Sequence, residues 1–526
     1  MQRILSKLAT LPFRILRRIG KLLFHRAGII AALILMQAAL YTAVLIALRD
    51  SEVYTVVNTV LLVLSLVAVF WILGDDSNPG YKIGWIILVL GLVPFGGIAY
   101  LTLGGNHLSR RNQRKLRAME RRMHRYLGGE CSRAAALGAV LGQDAARMAG
   151  YLEHTSSCPV YGNTDTKFYP LGDVCYEDIL AALRRAKKYI FIEYFIIAEG
   201  QLWNSILEIL QEKVTEGVEV RVIYDDIGSM FTLPSDYAKR LEQMGIRCRV
   251  FNRIVPVISL RQNNRDHRKY MIIDGEVAFT GGINMADEYI NAKERFGHWK
   301  DSAIRLEGDA VWSMTVSFLS MWDFTASQEE ELSAFHPAPA VGGAKGYVQP
   351  YHDCPWDNEP VGQTVYLNLI NRAKDFVYIT TPYLVIDYSI TVALTSAAKS
   401  GVDVRIITPH IPDKKTVFEV TRAYYEELLA DGIKIYEYTP GFIHGKVFVV
   451  DDEYATVGTV NLDYRSMFLH FENGVLLYRT DTVGDVRDDF LDTQSKSVEI
   501  TLDDCKKVPT LRKIFRGVLR IFAPLL

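Results

Sequence analysis

The sequence predicts an α/β protein of two pseudo-symmetric α/β/α halves that share one cleft, preceded by an N-terminal transmembrane helical region. Three observations predict it. A histidine–lysine motif occurs twice with the same glycine and asparagine downstream. Strand-like and helix-like segments alternate in the same order before each copy. Three uncharged apolar runs precede residue 104. The chain of 526 residues is also too long for one typical domain.

Taken in order, residues 1–26 hold seven Lys/Arg and no acid. Leu8, Leu11, Ile15, Ile19 and Leu22 recur at helical spacing, which suits a basic amphipathic segment in a membrane interface. Ala27 to Leu48 is uncharged, and its 22 residues are long enough to cross a hydrocarbon core. Val53 to Leu73 is a second such run, and Ile83 to Leu103 a third, interrupted by "VPFGG". Residues 27–103 therefore read as two or three transmembrane helices. Positive charge stays cytoplasmic, so the basic flanks on both sides favour an even number of crossings and a cytoplasmic catalytic region. Residues 104–155 read as a charged juxtamembrane linker, with eight Lys/Arg and one Glu in 110–125.

From about Cys158 the pattern alternates. "KYIFIEYFII" is a strand, "LWNSILEILQEKVTEG" a helix, and "VEVRVIYDD" a strand. "PSDYAKRLEQMG" is a helix with a glycine stop, and "IRCRVF" is a strand. The order returns as "DFVYITTPYLV", "GVDVRIITP" and "GIKIYEY", at offsets of 184 residues for the Gly217/Gly401 pair and 187 for Gly245/Gly432. This is an internal duplication, with halves expected over 156–335 and 336–500 and a basic amphipathic helix over 501–526.

Each half then delivers H-x-K-x4-D: His267, Lys269 and Asp274, and again His444, Lys446 and Asp451. Gly281 with Asn284, and Gly458 with Asn461, follow at matched distances. On a strand, residues two apart share a face, so each His–Lys pair points one way. "DG" at 274–275 predicts a hairpin that returns Gly281 and Asn284 to the His–Lys end. A cleft with two imidazoles, two ammonium groups and two amides suits one phosphodiester. The lysines and amides bind the non-bridging oxygens. One histidine attacks phosphorus and the other protonates the leaving alkoxide. Such chemistry requires no metal or other cofactor. The cysteines (131, 158, 175, 248, 354, 505) are scattered, without C-x-x-C or zinc spacing, and suggest a reduced compartment.

The doubled motif resembles the phospholipase D superfamily. The apolar region with "PGYKIGWIILVLGLVPFGGIAYLTLGG", and the stretches "FIEYFI", "NNRDHRKYMIIDG", "TPGFIHGKVFVVDD", "GTVNLDYRS" and the ending "IFAPLL", are similar to bacterial cardiolipin synthases. The resemblance spans nearly the whole chain. It implies two phospholipase D-like halves and a membrane-bound phosphatidyltransferase. Phosphatidylglycerol would be the substrate and cardiolipin the product, with glycerol released. By resemblance His267 is the nucleophile and His444 the general acid. Lys269, Lys446, Asn284 and Asn461 carry over as phosphate ligands, Asp274 and Asp451 as supporting carboxylates, and Glu472 as a group that orients a histidine.

A net charge of −1 and the apolar runs argue against nucleic acid as a partner. A hydrolase of the same fold, or an inactive lipid-binding protein, are the competing expectations. At the C-terminus Leu511, Ile514, Phe515, Val518, Leu519 and Phe522 form a stripe, while Lys507, Arg512, Lys513, Arg516 and Arg520 supply positive charge. That pattern predicts a helix lying on anionic lipid.

Overall fold

The computed structural model describes residues 52–91, 110–128, 133–254, 263–326, 330–337 and 343–525, and the isolated positions 43, 46, 96, 97, 100 and 101. The expected segment 1–26 and nearly all of the run 27–48 lie outside the described residues.

The helices Glu52–Gly74 and Pro79–Gly91 belong to one compact unit, and both halves of the repeat, apart from Asp226–Tyr237 and Asn252–Asn263, to another. Among the described residues, Tyr54–Gly74 is the single helix long and apolar enough to cross a membrane. Its 21 residues rise about 31 Å, against a hydrocarbon core of about 30 Å. It turns Phe70 and Trp71 outward, as a helix in lipid does. The helix Pro79–Gly91 has 13 residues and is too short to span by itself. Gly97 donates its backbone N–H to Ser65 Oγ at 3.1 Å, so small side chains hold the segments close.

The first half contains β1 (Thr164–Tyr169), β2 (Tyr189–Tyr194), β3 (Glu219–Asp225), β4 (Arg247–Phe251), β5 (Arg265–Asp266), β6 (Tyr270–Ile273), β7 (Val277–Gly281), β8 (His298–Lys300) and β9 (Ala303–Gly308). The second contains β10 (Tyr347–Asp353), β11 (Phe376–Thr380), β12 (Leu384–Val385), β13 (Asp403–Pro409), β14 (Lys434–Tyr438), β15 (Gly441–Ile443), β16 (Val447–Val450), β17 (Tyr454–Gly458), β18 (Leu462–Asp463), β19 (His470–Tyr478) and β20 (Ser497–Ile500). The first sheet runs β1-β9-β7-β6-β2-β3-β4. The second runs β10-β19-β17-β16-β11-β13-β14, then β20. The two orders superpose strand for strand, so the duplication in sequence is a duplication in topology.

The central strands are mostly apolar because both of their faces are covered. All six residues of β2 and all four of β6 are buried. One core joins the facing layers of both halves, with Phe191, Ile223 and Phe318 from the first and Val449, Val457 and Leu477 from the second. A second core lies under the outer helices of the second half.

Two short pairings lock the halves together. β5 runs parallel to the start of β19, with Arg265 beside His470 and Asp266 beside Phe471. β15 runs parallel to β8, with Phe442 beside Trp299 and Ile443 beside Lys300. Each half thus lends the strand before its motif to the other half.

The basic stretch expected as a linker forms the helix Arg110–Leu127. Its Leu116, Met119, Met123 and Leu127 are buried in the shared core, and Arg122 pairs with Asp323. Arg114, Arg117, Arg121 and Arg125 are exposed along the opposite face. The C-terminal helix Thr510–Phe522 departs from expectation. Arg512, Lys513, Arg516 and Arg520 all pair with acids of the helix Lys415–Ala430. Leu511, Ile514, Phe515 and Val518 of its apolar stripe face outward, while Leu519 and Phe522 are half-buried.

Candidate active site

The backbone of each motif emerges from a cross-half pairing and enters a buried hairpin. His267 N–H donates to Phe471 O at 2.9 Å, and His444 N–H to Lys300 O at 2.7 Å. The register continues directly into the side chains. His267 Nδ1 lies 2.9 Å and 3.0 Å from the two carboxylate oxygens of Glu472. His444 Nδ1 lies 2.6 Å from Asp301 Oδ2. A carboxylate there can only accept, so each imidazole presents Nδ1–H to its partner and leaves Nε2 for chemistry. Each histidine is thus oriented by an acid from the opposite half.

Asp301 is the residue that sequence reasoning missed. The duplication held the signal: an acid following the second motif implies a counterpart following the first.

The lysines sit beneath the histidines. Lys269 Nζ donates to His267 O at 2.9 Å, and Lys446 Nζ donates to His444 O. Both are about 1% exposed. Burial lowers Lys269 to about 8 and Lys446 to about 7, although Glu472 and Asp301 pull the other way. Burial, followed by the charges of Lys269 and Lys446, holds His267 well below its ordinary value. Burial likewise lowers His444 to about 4, against the raising effect of Asp301. Burial alone would raise Asp301, but His444 and Lys446 outweigh it and keep the carboxyl low. Both imidazoles are therefore neutral at neutral pH before an anion arrives.

Asn284 and Asn461 follow the returning strands as expected. Asn284 accepts from Ile196 N–H at 3.1 Å and donates to Tyr289 Oη at 2.7 Å. Asn461 donates to Ser466 Oγ at 3.0 Å. Each of the two donated bonds uses one of the two N–H groups on its amide.

Asp274 and Asp451, expected as supporting carboxylates, bond to the backbone rather than to the histidines. Asp274 accepts three backbone N–H bonds, from Lys187, Lys188 and Tyr189, at 2.7–2.9 Å. Asp451 does the same for Lys374, Asp375 and Phe376 at 2.7–2.9 Å. Both sit at the turn, with φ +54° and +53°, so each lies a strand length of about 16 Å from its lysine. Their carboxylates tie the hairpin to the start of β2 and β11.

The half-sites differ around this common frame. Beside His267, Thr459 donates its hydroxyl to Glu472, and the His470 ring lies 5.6 Å away. Beside His444, Gly282 takes the place of Thr459, and the Trp299 ring lies 5.6 Å away. A Cβ on Gly282 would come within 2.0 Å of Asp301 Oδ1. His267, His470 and Glu472 bring atoms of metal-ligand type within 4.8 Å of one another. Glu472 there is already engaged by His267 and Thr459.

A family model described as "Cardiolipin synthase, PLD-like domain" matches residues 179–307 and 366–493, one copy on each half. A "Phospholipase_D-nuclease N-terminal" model matches residues 63–105. Cardiolipin synthase 2 of Bacillus anthracis is 36% identical over 457 residues, covering 86% of this chain and 88% of that protein. The chain belongs to the bacterial cardiolipin synthases. The cardiolipin synthase of Alkalihalophilus pseudofirmus is 33% identical and is covered over 100% of its length. An uncharacterized protein of Streptococcus mutans is 49% identical over 384 residues, 72% of this chain and 82% of its own. A solved structure, the phosphatidylserine synthase of Haemophilus influenzae, shares the fold, with a TM-score of 0.54 at 15% identity over 72% of this chain and 97% of that one. The enzyme is therefore a membrane-associated phosphatidyltransferase of the phospholipase D superfamily, and it acts on phospholipids.

Proposed function

We propose that this cardiolipin synthase moves a phosphatidyl group from one phosphatidylglycerol to another through a phosphohistidine on His267. The observation that carries the mechanism is the pair of imidazoles, each held by a carboxylate from the opposite half with Nε2 left unengaged by that bond.

In the first step His267 Nε2 forms a bond to phosphorus, and the bond to the glycerol oxygen breaks. His444 begins neutral with its proton on Nδ1; the incoming phosphodiester anion raises its proton affinity beside Asp301, so Nε2 takes up a proton from water and then gives it to that oxygen. The same anion keeps Lys269 and Lys446 charged, and Asn284 and Asn461 offer their remaining N–H groups to the non-bridging oxygens. In the second step the headgroup hydroxyl of another phosphatidylglycerol returns a proton to His444. Its oxygen forms the new bond to phosphorus as the His267–phosphorus bond breaks. One phosphodiester is exchanged for another, so no nucleotide is consumed.

Membrane attachment concentrates both lipids at the site. We read the N-terminal region as multi-pass with the catalytic halves on the cytoplasmic side. The exposed arginines of Arg110–Leu127 support that side.

The test is to supply the purified enzyme with phosphatidylglycerol in mixed micelles and measure glycerol and lipid products together. Equal amounts of glycerol and cardiolipin are expected. Phosphatidic acid without cardiolipin would replace transfer with hydrolysis.

A further inference from the structure

The two peripheral basic helices are used in opposite ways. Arg110–Leu127 buries its apolar residues and exposes arginines. Thr510–Phe522 pairs its cations and exposes most of its apolar residues. Arg512 and Arg516 both reach Glu419, the latter at 2.8 Å. Lys513 meets Glu426 at 3.0 Å, and Arg520 meets Glu427 at 2.6 Å. Arg516 is buried. Meanwhile Leu511 is 80% exposed, Ile514 59%, Phe515 52%, Val518 47% and Ile521 45%.

We propose that this stripe seats in the hydrocarbon edge of a lipid bilayer and holds the catalytic halves to it without spending the helix's cations on lipid phosphate. The occupant follows from area and charge. The stripe exposes roughly 500 Å², short of the ~800 Å² per partner of a stable protein interface. That is the size of a functional apolar patch on a single chain. Its residues recur at i, i+3, i+4 and i+7 with Gly517 among them, so no polar side chain interrupts the face. A bilayer asks for no complementary shape, and the helix Tyr54–Gly74 already makes the chain membrane-associated. The cations serve to fasten the helix to Lys415–Ala430. The contact is therefore apolar and insensitive to lipid charge, unlike one built on arginines.

The experiment uses the full chain with Cys131→Ser and Val518→Cys, labelled with an environment-sensitive fluorophore. It is reconstituted into phosphatidylcholine vesicles containing brominated acyl chains, with and without anionic phosphatidylglycerol. We expect at least a roughly twofold loss of emission in both vesicle types, unchanged when salt is raised. A label at the exposed Glu208 should be unaffected, and Ile514→Glu with Phe515→Glu should abolish quenching at position 518. The proposal is overturned if the 518 label is unquenched in both vesicles. It is equally overturned if quenching needs anionic lipid and disappears in salt. Concentration-dependent self-quenching between labelled chains would make the occupant a second copy instead.

Discussion

At the first half-site His267 is backed by the longer acid, Glu472, which also takes a hydroxyl from Thr459 and stands beside His470. At the second, His444 is backed by the shorter Asp301, with Gly282 against it and Trp299 beside the imidazole. Backbone register makes these positions equivalent: the residue paired to the chain before each histidine carries His470 or Trp299, and the acid is two further on. Gene duplication fixed the frame, while the infill diverged. A symmetric frame can perform an asymmetric reaction because one imidazole must attack and the other must pass a proton. Nothing in the shared skeleton distinguishes those tasks, so the distinction has to reside in the infill and in the order of lipid arrival.

The largest effects come from the histidines themselves. His267→Ala should lower turnover by at least ~10⁴-fold. His444→Ala should cost about 10²–10⁴ with phosphatidylglycerol. The two variants separate on a phosphodiester whose leaving group is a nitrophenol, which departs without a proton. Release of nitrophenol should recover in His444→Ala and stay absent in His267→Ala. Recovery in His267→Ala instead would reverse the roles.

Next come the orienting acids. Glu472→Gln and Asp301→Asn each leave an imidazole facing an amide that can stabilise the wrong tautomer, and each should cost roughly 10²–10⁴-fold. Gly282→Ala tests the same bond from behind. The added methyl would have to displace Asp301, whose oxygen lies 2.0 Å from that position. A loss of ~10–100-fold is expected, rate-limited at the His444 side. Thr459→Ala, in the matching place, removes a donor to Glu472, worth about 1.5–3 kcal/mol, or roughly 10–100-fold. The two variants separate by site: release of nitrophenol should be spared in Gly282→Ala and impaired in Thr459→Ala, and the same response in both would mean the infill does not distinguish the sites.

The pH profile follows from the lysines. Lys446, lowered to about 7, and Lys269, to about 8, are charged below those values and lose charge as pH rises through them. Since kcat/KM reports the free enzyme, where His444 is already neutral, loss of lysine charge should steepen its fall across pH 7–8, mainly through a rising KM. His267 is held well below 6.5, so the acid limb should lie well below that pH. A profile that climbs between pH 7 and 8 would contradict the charged-lysine role.

Much of this was legible in the sequence, for physical reasons that differ by element. The halves could be read because buried strands leave apolar runs, and "VEVRVIY" and "VDVRIIT" repeat one. The hairpin at Asp274 followed from its DG turn, and the structure gives it φ values of +54° and +72°. The partners β5 and β8 could not be read, because strands of two and three residues carry no periodicity. Asp301 was hidden for the same reason, since its role depends on that pairing. The C-terminal helix shows the limit of an amphipathic pattern. Its sequence predicts two faces, but which face docks was decided by Glu419, Glu426 and Glu427, almost a hundred residues away.

The smallest expected effect is at His470. The ring lies beside His267, and its Nδ1 is 3.6 Å from Glu472, so it has the look of a proton relay. Burial lowers it to about 3, however, so it is neutral wherever the enzyme works and forms no ion pair with the acid. Its counterpart Trp299 cannot titrate at all, yet flanks His444 at the same ring distance of 5.6 Å. Both side chains then act as walls that exclude water and set the imidazole plane. His470→Phe should change kcat by only a few fold and leave the pH profile in place, because a neutral wall replaces a neutral wall. A loss beyond ~10²-fold, the scale of general acid–base catalysis, would instead make His470 a third proton carrier and the first half-site more than a copy of the second.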